Sequence, residues 1–149
     1  RPDEHAPRDP QYGQLTVKRT FWFIYLALVL ATPAIALPTE AEVESVTVEI
    51  RSRTFIPQHV HLHHDRKTVL RFRSHDTELH TVVAKELFLS ADLNVGGNGA
   101  PEFGPNGLKR VIIPAEGLIE FQFTPAHTGT FSYLCDMPGH NMQAVIVVE

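Results

Sequence analysis

Residues 133–142, YLCDMPGHNM, bring the chain's one cysteine, a histidine and both methionines together within ten positions. A thiolate is a soft donor that suits copper or zinc, and imidazole is the commonest metal-ligating side chain. One cysteine cannot close an intramolecular disulfide. In an oxidising compartment a free thiol is open to oxidation or intermolecular pairing, so its place among other donors needs a reason. Cys135 follows the alternating run TFSYL and precedes Pro138-Gly139, and His140 comes after that turn. A strand end closed by a tight loop is a rigid way to hold two donors near one point. A third donor has to come from another segment. The stretch SHDTELHTVV supplies two, His75 in a turn and His80 at the start of a short strand. The competing readings are inert packing of the thiol and a structural zinc site built from the same residues.

A second group of donors is more regular. His59, His61 and His63 alternate, so they share one face of a strand, with Val60 and Leu62 on the other. Period-two histidines make either a surface metal site or a solvated polar face.

The elements that must position these residues read as all-β from Pro38 onward. VESVTVEIRS alternates, with Val46, Val48 and Ile50 on one face. QHVHLHH and KTVLRFRS alternate too, the latter with Leu70 and Phe72 on one face and Val69 and Arg71 on the other. LHTVVA, KRVIIP, GLIEFQF, GTFSYLC and QAVIVVE come after them, separated by turn signals at Asp65, Pro114–Gly117 and Pro125–Gly129. About eight short strands at this spacing predict a Greek-key β-sandwich or barrel. The glycine-rich stretch 88–109 has little periodicity and is expected to be a long loop.

Upstream, residues 20–37 are almost wholly apolar, with Lys18 and Arg19 before them and the small-residue pattern Ala34-Ile35-Ala36 near their end. They read as an N-terminal hydrophobic helix with two alternatives: a cleaved secretory signal or a retained membrane anchor of minimal length. Either one exports the chain beyond residue 37, and the positive pair keeps the N-terminus inside. Residues 1–19 carry three prolines and mixed charge and read as a disordered tail. The chain therefore divides into that tail, the apolar segment over 20–37, and one domain over 38–149. The domain has nine basic and fourteen acidic side chains, a mild net −5, and no block of like charge points to nucleic acid.

HTVV, the later GTFSYLCDMPGHNM and the closing AVIVVE together resemble the cupredoxins, the type 1 blue-copper fold. The likeness covers roughly residues 43–149 and extends to FIPQHVHL, which is similar to an early F-x-P-x-x-[LIV]-x-[LIV] stretch of many members, and to PAHTGTFSYLC, similar to their approach to the cysteine. The resemblance implies a metal site of His80, Cys135 and His140 with Met142 as axial ligand, holding one type 1 copper. The family usually places its methionine three or four residues after the second histidine. Met142 follows His140 after one residue, yet still directly precedes the last strand, as a shortened loop would place it. Thr81 and Asp136 are expected to lace the ligand loops together, where many members use an asparagine.

The function implied is electron transfer between redox partners in the periplasm or on the outer face of the cytoplasmic membrane. Redox proteins, or a membrane complex, would dock near His140, with Met137, Pro138 and Gly139 at its rim. The alternative is a copper-handling or metal-uptake-associated protein of the same fold, which the histidines at 59, 61 and 63 would favour. An enzyme is not expected: a binuclear thiolate-bridged centre needs two cysteines, and multicopper enzymes need further domains.

Overall fold

The computed structural model describes residues 42–149. The expected tail and apolar segment lie outside the described residues, and among the described residues no helix is long and apolar enough to cross a membrane. The described residues form eleven strands: β1 (Glu44–Arg51), β2 (Thr54–Ile56), β3 (His59–Leu62), β4 (Thr68–Ser74), β5 (His80–Val82), β6 (Asn94–Gly97), β7 (Ala100–Gly104), β8 (Gly107–Ile113), β9 (Leu118–Phe123), β10 (Gly129–Leu134) and β11 (Gln143–Val148). One short 3-10 turn, Glu86–Phe88, is the only helical element among the described residues. The all-β sandwich expected from the alternating pattern is the fold observed.

A five-stranded sheet has the order β2-β1-β4-β9-β6, and two three-stranded sheets have the orders β10-β11-β3 and β5-β8-β7. β1 runs parallel to β4 and β11 parallel to β3, so neither pair is a simple hairpin. The alternation in β1 and β4 sets their register. Val48, Ile50, Leu70 and Phe72 are fully buried, while Arg71 turns outward to pair with Glu120 on β9 (2.7 Å) and Ser45 on β1 (2.7 Å). A shift of one residue would drive Arg71 into the core.

The core centres on aromatic rings. Phe72 lies 6.1 Å from Phe55, 5.9 Å from Phe121 and 5.4 Å from Tyr133, mostly edge-on. Those separations fall in the favourable range for aromatic pairs, and each ring buried contributes about 1.5–3 kcal/mol. Tyr133, on β10 two residues before Cys135, is fully enclosed and its hydroxyl has no hydrogen-bond partner among the described residues. Burial pushes its phenol well above its ordinary pKa.

The structure corrects the expected long loop at 88–109. β6 adds to the edge of the large sheet through β9, and β7 forms a hairpin with β8. The alternation that marks a half-buried strand is missing because both are largely exposed edge strands, with Val95 the partly buried contact of β6 with the core. Gly97 is required there: its φ is +103°, and a Cβ would meet the Leu118 carbonyl oxygen at 2.1 Å. β2 also escaped the sequence pattern, being only three residues long.

Candidate metal centre

His80 opens β5, and Cys135 follows the last residue of β10. The two strands belong to different sheets, and a single antiparallel bridge, Val83 to Leu134, joins them. Its two hydrogen bonds are 2.9 and 3.2 Å. Counting on from that bridge in opposite directions brings Thr81 beside Asp136, and so His80 beside the loop that starts at Cys135. The loop closes on itself: the Cys135 N–H donates to the Met142 carbonyl (3.1 Å) and the His140 N–H to the Met137 carbonyl (3.0 Å). Gly139, at φ +79°, makes the reversal between them.

The donor atoms of His80, Cys135 and His140 all lie within 4.8 Å of one another. Cys135 Sγ is 3.5 Å from His140 Nδ1. His80 is completely buried and Cys135 4% exposed. The His140 side chain is 7% exposed, so the ring reaches the surface only at an edge. His80 Nε2 lies 2.9 Å from Asp76 Oδ2. Since a carboxylate only accepts, Nε2 carries a proton, and in the neutral ring Nδ1 then keeps its lone pair. That Nδ1 atom is buried and has no hydrogen-bond partner among the described residues. An orphaned buried acceptor costs about 1–3 kcal/mol. The cost is removed if a metal ion is bound between it, the thiolate and the second imidazole. One soft sulfur and two nitrogens are the donor set that suits copper, with zinc next.

Of the two candidate third donors, the structure brings in His80. His75 instead pairs with Glu49 and lies 3.0 Å from Arg51. Met142 is 4% exposed and belongs to the same buried cluster as Cys135, at the far end of the ligand loop. Met137 is partly buried against that cluster. His59, His61 and His63 alternate as expected with buried Val60 and Leu62, and all three are exposed. They do not converge: among the described residues the groupings able to hold a metal are His80-Cys135-His140 and Asp76-Glu78-His80. His63 Nδ1 is taken by Glu44 at 2.8 Å.

The surroundings of the sulfur are polar in one direction. The Thr81 N–H donates to Cys135 Sγ at 3.3 Å. The Thr81 hydroxyl accepts the Asp136 N–H (2.9 Å) and lies 2.7 Å from Asp136 Oδ1. It has one proton to give, and the shorter carboxylate contact takes it rather than Sγ at 3.4 Å. Thr81 thus fastens β5 to the ligand loop by its side chain and supplies the sulfur's hydrogen bond by its backbone. Burial would push the Asp136 carboxyl up, but the Thr81 hydroxyl and the Arg110 charge outweigh it and hold it below its ordinary value.

Three further residues of the site escaped the sequence pattern. Arg110 on β8 spans Asp136 (3.2 Å) and Glu102 on β7 (2.7 Å), tying the β7–β8 hairpin to the ligand loop. Asp76 accepts the backbone N–H groups of Ser52 (2.7 Å) and Arg53 (2.9 Å) as well as the His80 ring. Burial pushes its carboxyl up, while those N–H groups and the His80 ring together hold it below the usual range. Glu78 forms a two-pronged pair with Arg53 (2.5 and 2.6 Å), which lowers its carboxyl, and its Oε2 stands 3.6 Å from His140 Nε2. The legible signal for both acids is their position four and two residues before His80.

The chain belongs to the cupredoxin-like domain family, whose model matches residues 20–148. Among solved structures it is similar to auracyanin A, a "blue" copper protein from the green thermophilic photosynthetic bacterium Chloroflexus aurantiacus. The TM-score is 0.54 at 16% identity, over 72% of this chain and all of that one. It is also similar to a reduced Cu(I) form of an amicyanin variant at pH 4, with TM-score 0.47 and 18% identity over 70% of this chain and 82% of that one. No curated protein matches the chain by sequence.

Proposed function

We propose that this chain is an extracytoplasmic mononuclear type 1 copper protein that transfers electrons between redox partners. One observation carries the reading: the buried His80, with one ring nitrogen unpartnered among the described residues, brings a donor atom within 4.8 Å of a buried thiol sulfur and a second imidazole nitrogen. Bound there, copper would supply one-electron Cu(I)/Cu(II) chemistry. Cys135 would give the thiolate, His80 and His140 the imidazoles, and Met142 the weak axial donor. Three ligands come from one self-closed loop and the fourth from a strand fastened to it, so little in the protein has to move between oxidation states. The His140 edge, with exposed Pro138 and Gly139 beside it, is the proposed point of electron entry. The apolar run before the domain supports export. The partners we propose are redox proteins or a membrane complex. Copper handling would be favoured by a second ligand set on and just after β3, and the three exposed histidines at 59, 61 and 63 do not gather into one among the described residues.

The test is visible absorption after copper loading. An intense thiolate-to-Cu(II) band, abolished by Cys135→Ser, is expected. A colourless protein that takes zinc as tightly as copper would refute the assignment.

A further inference from the structure

We propose that Asp76 is a positioning residue of the metal centre, which sets the tautomer and aim of His80 and lowers the centre's midpoint potential. The inference rests on the copper reading for the potential, but not for the tautomer.

Asp76 is held more firmly than an ordinary turn carboxylate. Its Oδ1 accepts the Ser52 N–H and its Oδ2 the Arg53 N–H. Its own N–H reaches the Ser74 hydroxyl (3.3 Å), and its carbonyl accepts the Glu116 N–H (3.0 Å). Ser52 and Arg53 form the turn between β1 and β2, and both have positive φ, +49° and +56°. Two successive left-handed residues suit a tight hairpin turn, but asparagine and glycine are the usual occupants. Here neither is present. The conformation aims two successive N–H groups at one anion, a backbone nest, and the carboxylate of Asp76 fills it.

The remaining capacity of Oδ2 goes to His80 Nε2, 2.9 Å away in a setting closed to solvent on the histidine side. This contact has two consequences. The proton of the neutral ring stays on Nε2, which leaves the Nδ1 lone pair free on a ring that offers a donor atom within 4.8 Å of those of Cys135 and His140. A carboxylate behind a ligating imidazole also makes the ring a stronger donor. A stronger donor favours Cu(II) over Cu(I), so the potential falls. The turn between β1 and β2 thus reaches the metal through one acid and one ring. The second acid nearby, Glu78, does not do the same for His140: at 3.6 Å it is beyond hydrogen-bond distance and is engaged by Arg53.

The test has two independent readouts on the full chain. In the metal-free protein, long-range nitrogen–proton NMR correlations of the His80 ring report its tautomer without any substitution. The Nε2–H form is expected; an Nδ1–H form would overturn the proposal. In the copper-loaded protein, Asp76→Asn, which keeps the shape and removes the charge, is expected to shift the preference for Cu(II) over Cu(I) about tenfold towards Cu(I). That is an upward shift of about 59 mV for one electron. An unchanged potential, or a shift that vanishes at high salt as a merely through-space charge effect would, would overturn the role. If the wild type shows no thiolate-to-Cu(II) band, the copper reading falls by itself, and the tautomer measurement still decides whether Asp76 aims His80.

Discussion

The Thr81 side chain is the clearest place to measure how the two halves of the site are joined. Thr81→Val replaces the hydroxyl by a methyl of nearly the same size at a position with no solvent exposure. The Asp136 N–H then loses its acceptor at 2.9 Å, and Asp136 Oδ1 loses its donor at 2.7 Å. The neutral bond is worth about 1–1.5 kcal/mol, and the one to the carboxylate about 1.5–3 kcal/mol. The second figure has to be cut, because the Asp136 side chain is 38% exposed and keeps Arg110, so water and guanidinium replace part of the loss. The extra buried methyl returns at most about 0.8 kcal/mol. The net expectation is a destabilisation of about 2 kcal/mol, or about 1 M in the urea midpoint at an ordinary slope.

Thr81→Ser separates the hydroxyl from the methyl. It keeps both hydrogen bonds and loses one buried methyl, at about 1 kcal/mol. Urea unfolding of the metal-free protein should therefore rank wild type above Ser and Ser above Val. The opposite order, or a Val variant within about 0.5 kcal/mol of wild type, would refute the account of Thr81 as the fastening between β5 and the ligand loop. Both variants retain the Thr81 backbone N–H to Cys135 Sγ, so the absorption band of the copper-loaded proteins is expected to stay where it is in the wild type.

Phe72→Ala removes a fully buried ring in contact with Phe55, Phe121 and Tyr133 and is expected to cost about 3–5 kcal/mol, measured by chemical denaturation. Partial burial pushes the Glu44 carboxyl up, but the His63 backbone N–H and ring and the Arg66 charge leave it below its ordinary value. Its folded pKa is the lower one, so its stabilisation is complete above the unfolded pKa and is lost as pH falls through the folded one; Glu44→Gln should flatten the acid limb of stability against pH, and an unchanged limb would count against the contact. In the copper-loaded protein Met142→Leu is expected to raise the midpoint potential and move the visible band, and identical values would remove Met142 from the centre.

The sequence carried most of this site because its donors are chemically rare. One cysteine in the chain, five residues before a histidine and at a strand end, could be weighed without knowing the fold. The alternation of β1, β3 and β4 was equally plain, since each buries one face and exposes the other. β6 and β7 were not, because an edge strand exposed on both faces has no period to read. The contacts of Asp76 and Arg110 were hidden for another reason. Each depends on a partner about 24 or 26 residues away, Asp76 on the β1–β2 turn and Arg110 on the ligand loop, and acids and arginines are too common for their type alone to mark them.

The residues that the sequence pattern missed, Asp76, Glu78 and Arg110, hold the donors or their surroundings and are not donors themselves, whereas Thr81 and Asp136 were expected. Cys135 and His140 are placed by a loop closed through its own backbone, which needs only Gly139 and the strands on either side. His80 has no such loop. It enters from another sheet, joined to the cysteine's strand by one bridge at Val83 and Leu134. A lone bridge fixes a backbone but not the rotation of a ring two or three residues away. The side chains of Thr81, Asp136 and Arg110 secure the backbone on one side of His80, and Asp76 secures the ring on the other. The accuracy of the centre therefore depends more on the His80 side than on the loop. Loosening β5 should disturb metal affinity more than an equal loss of stability placed at Phe72.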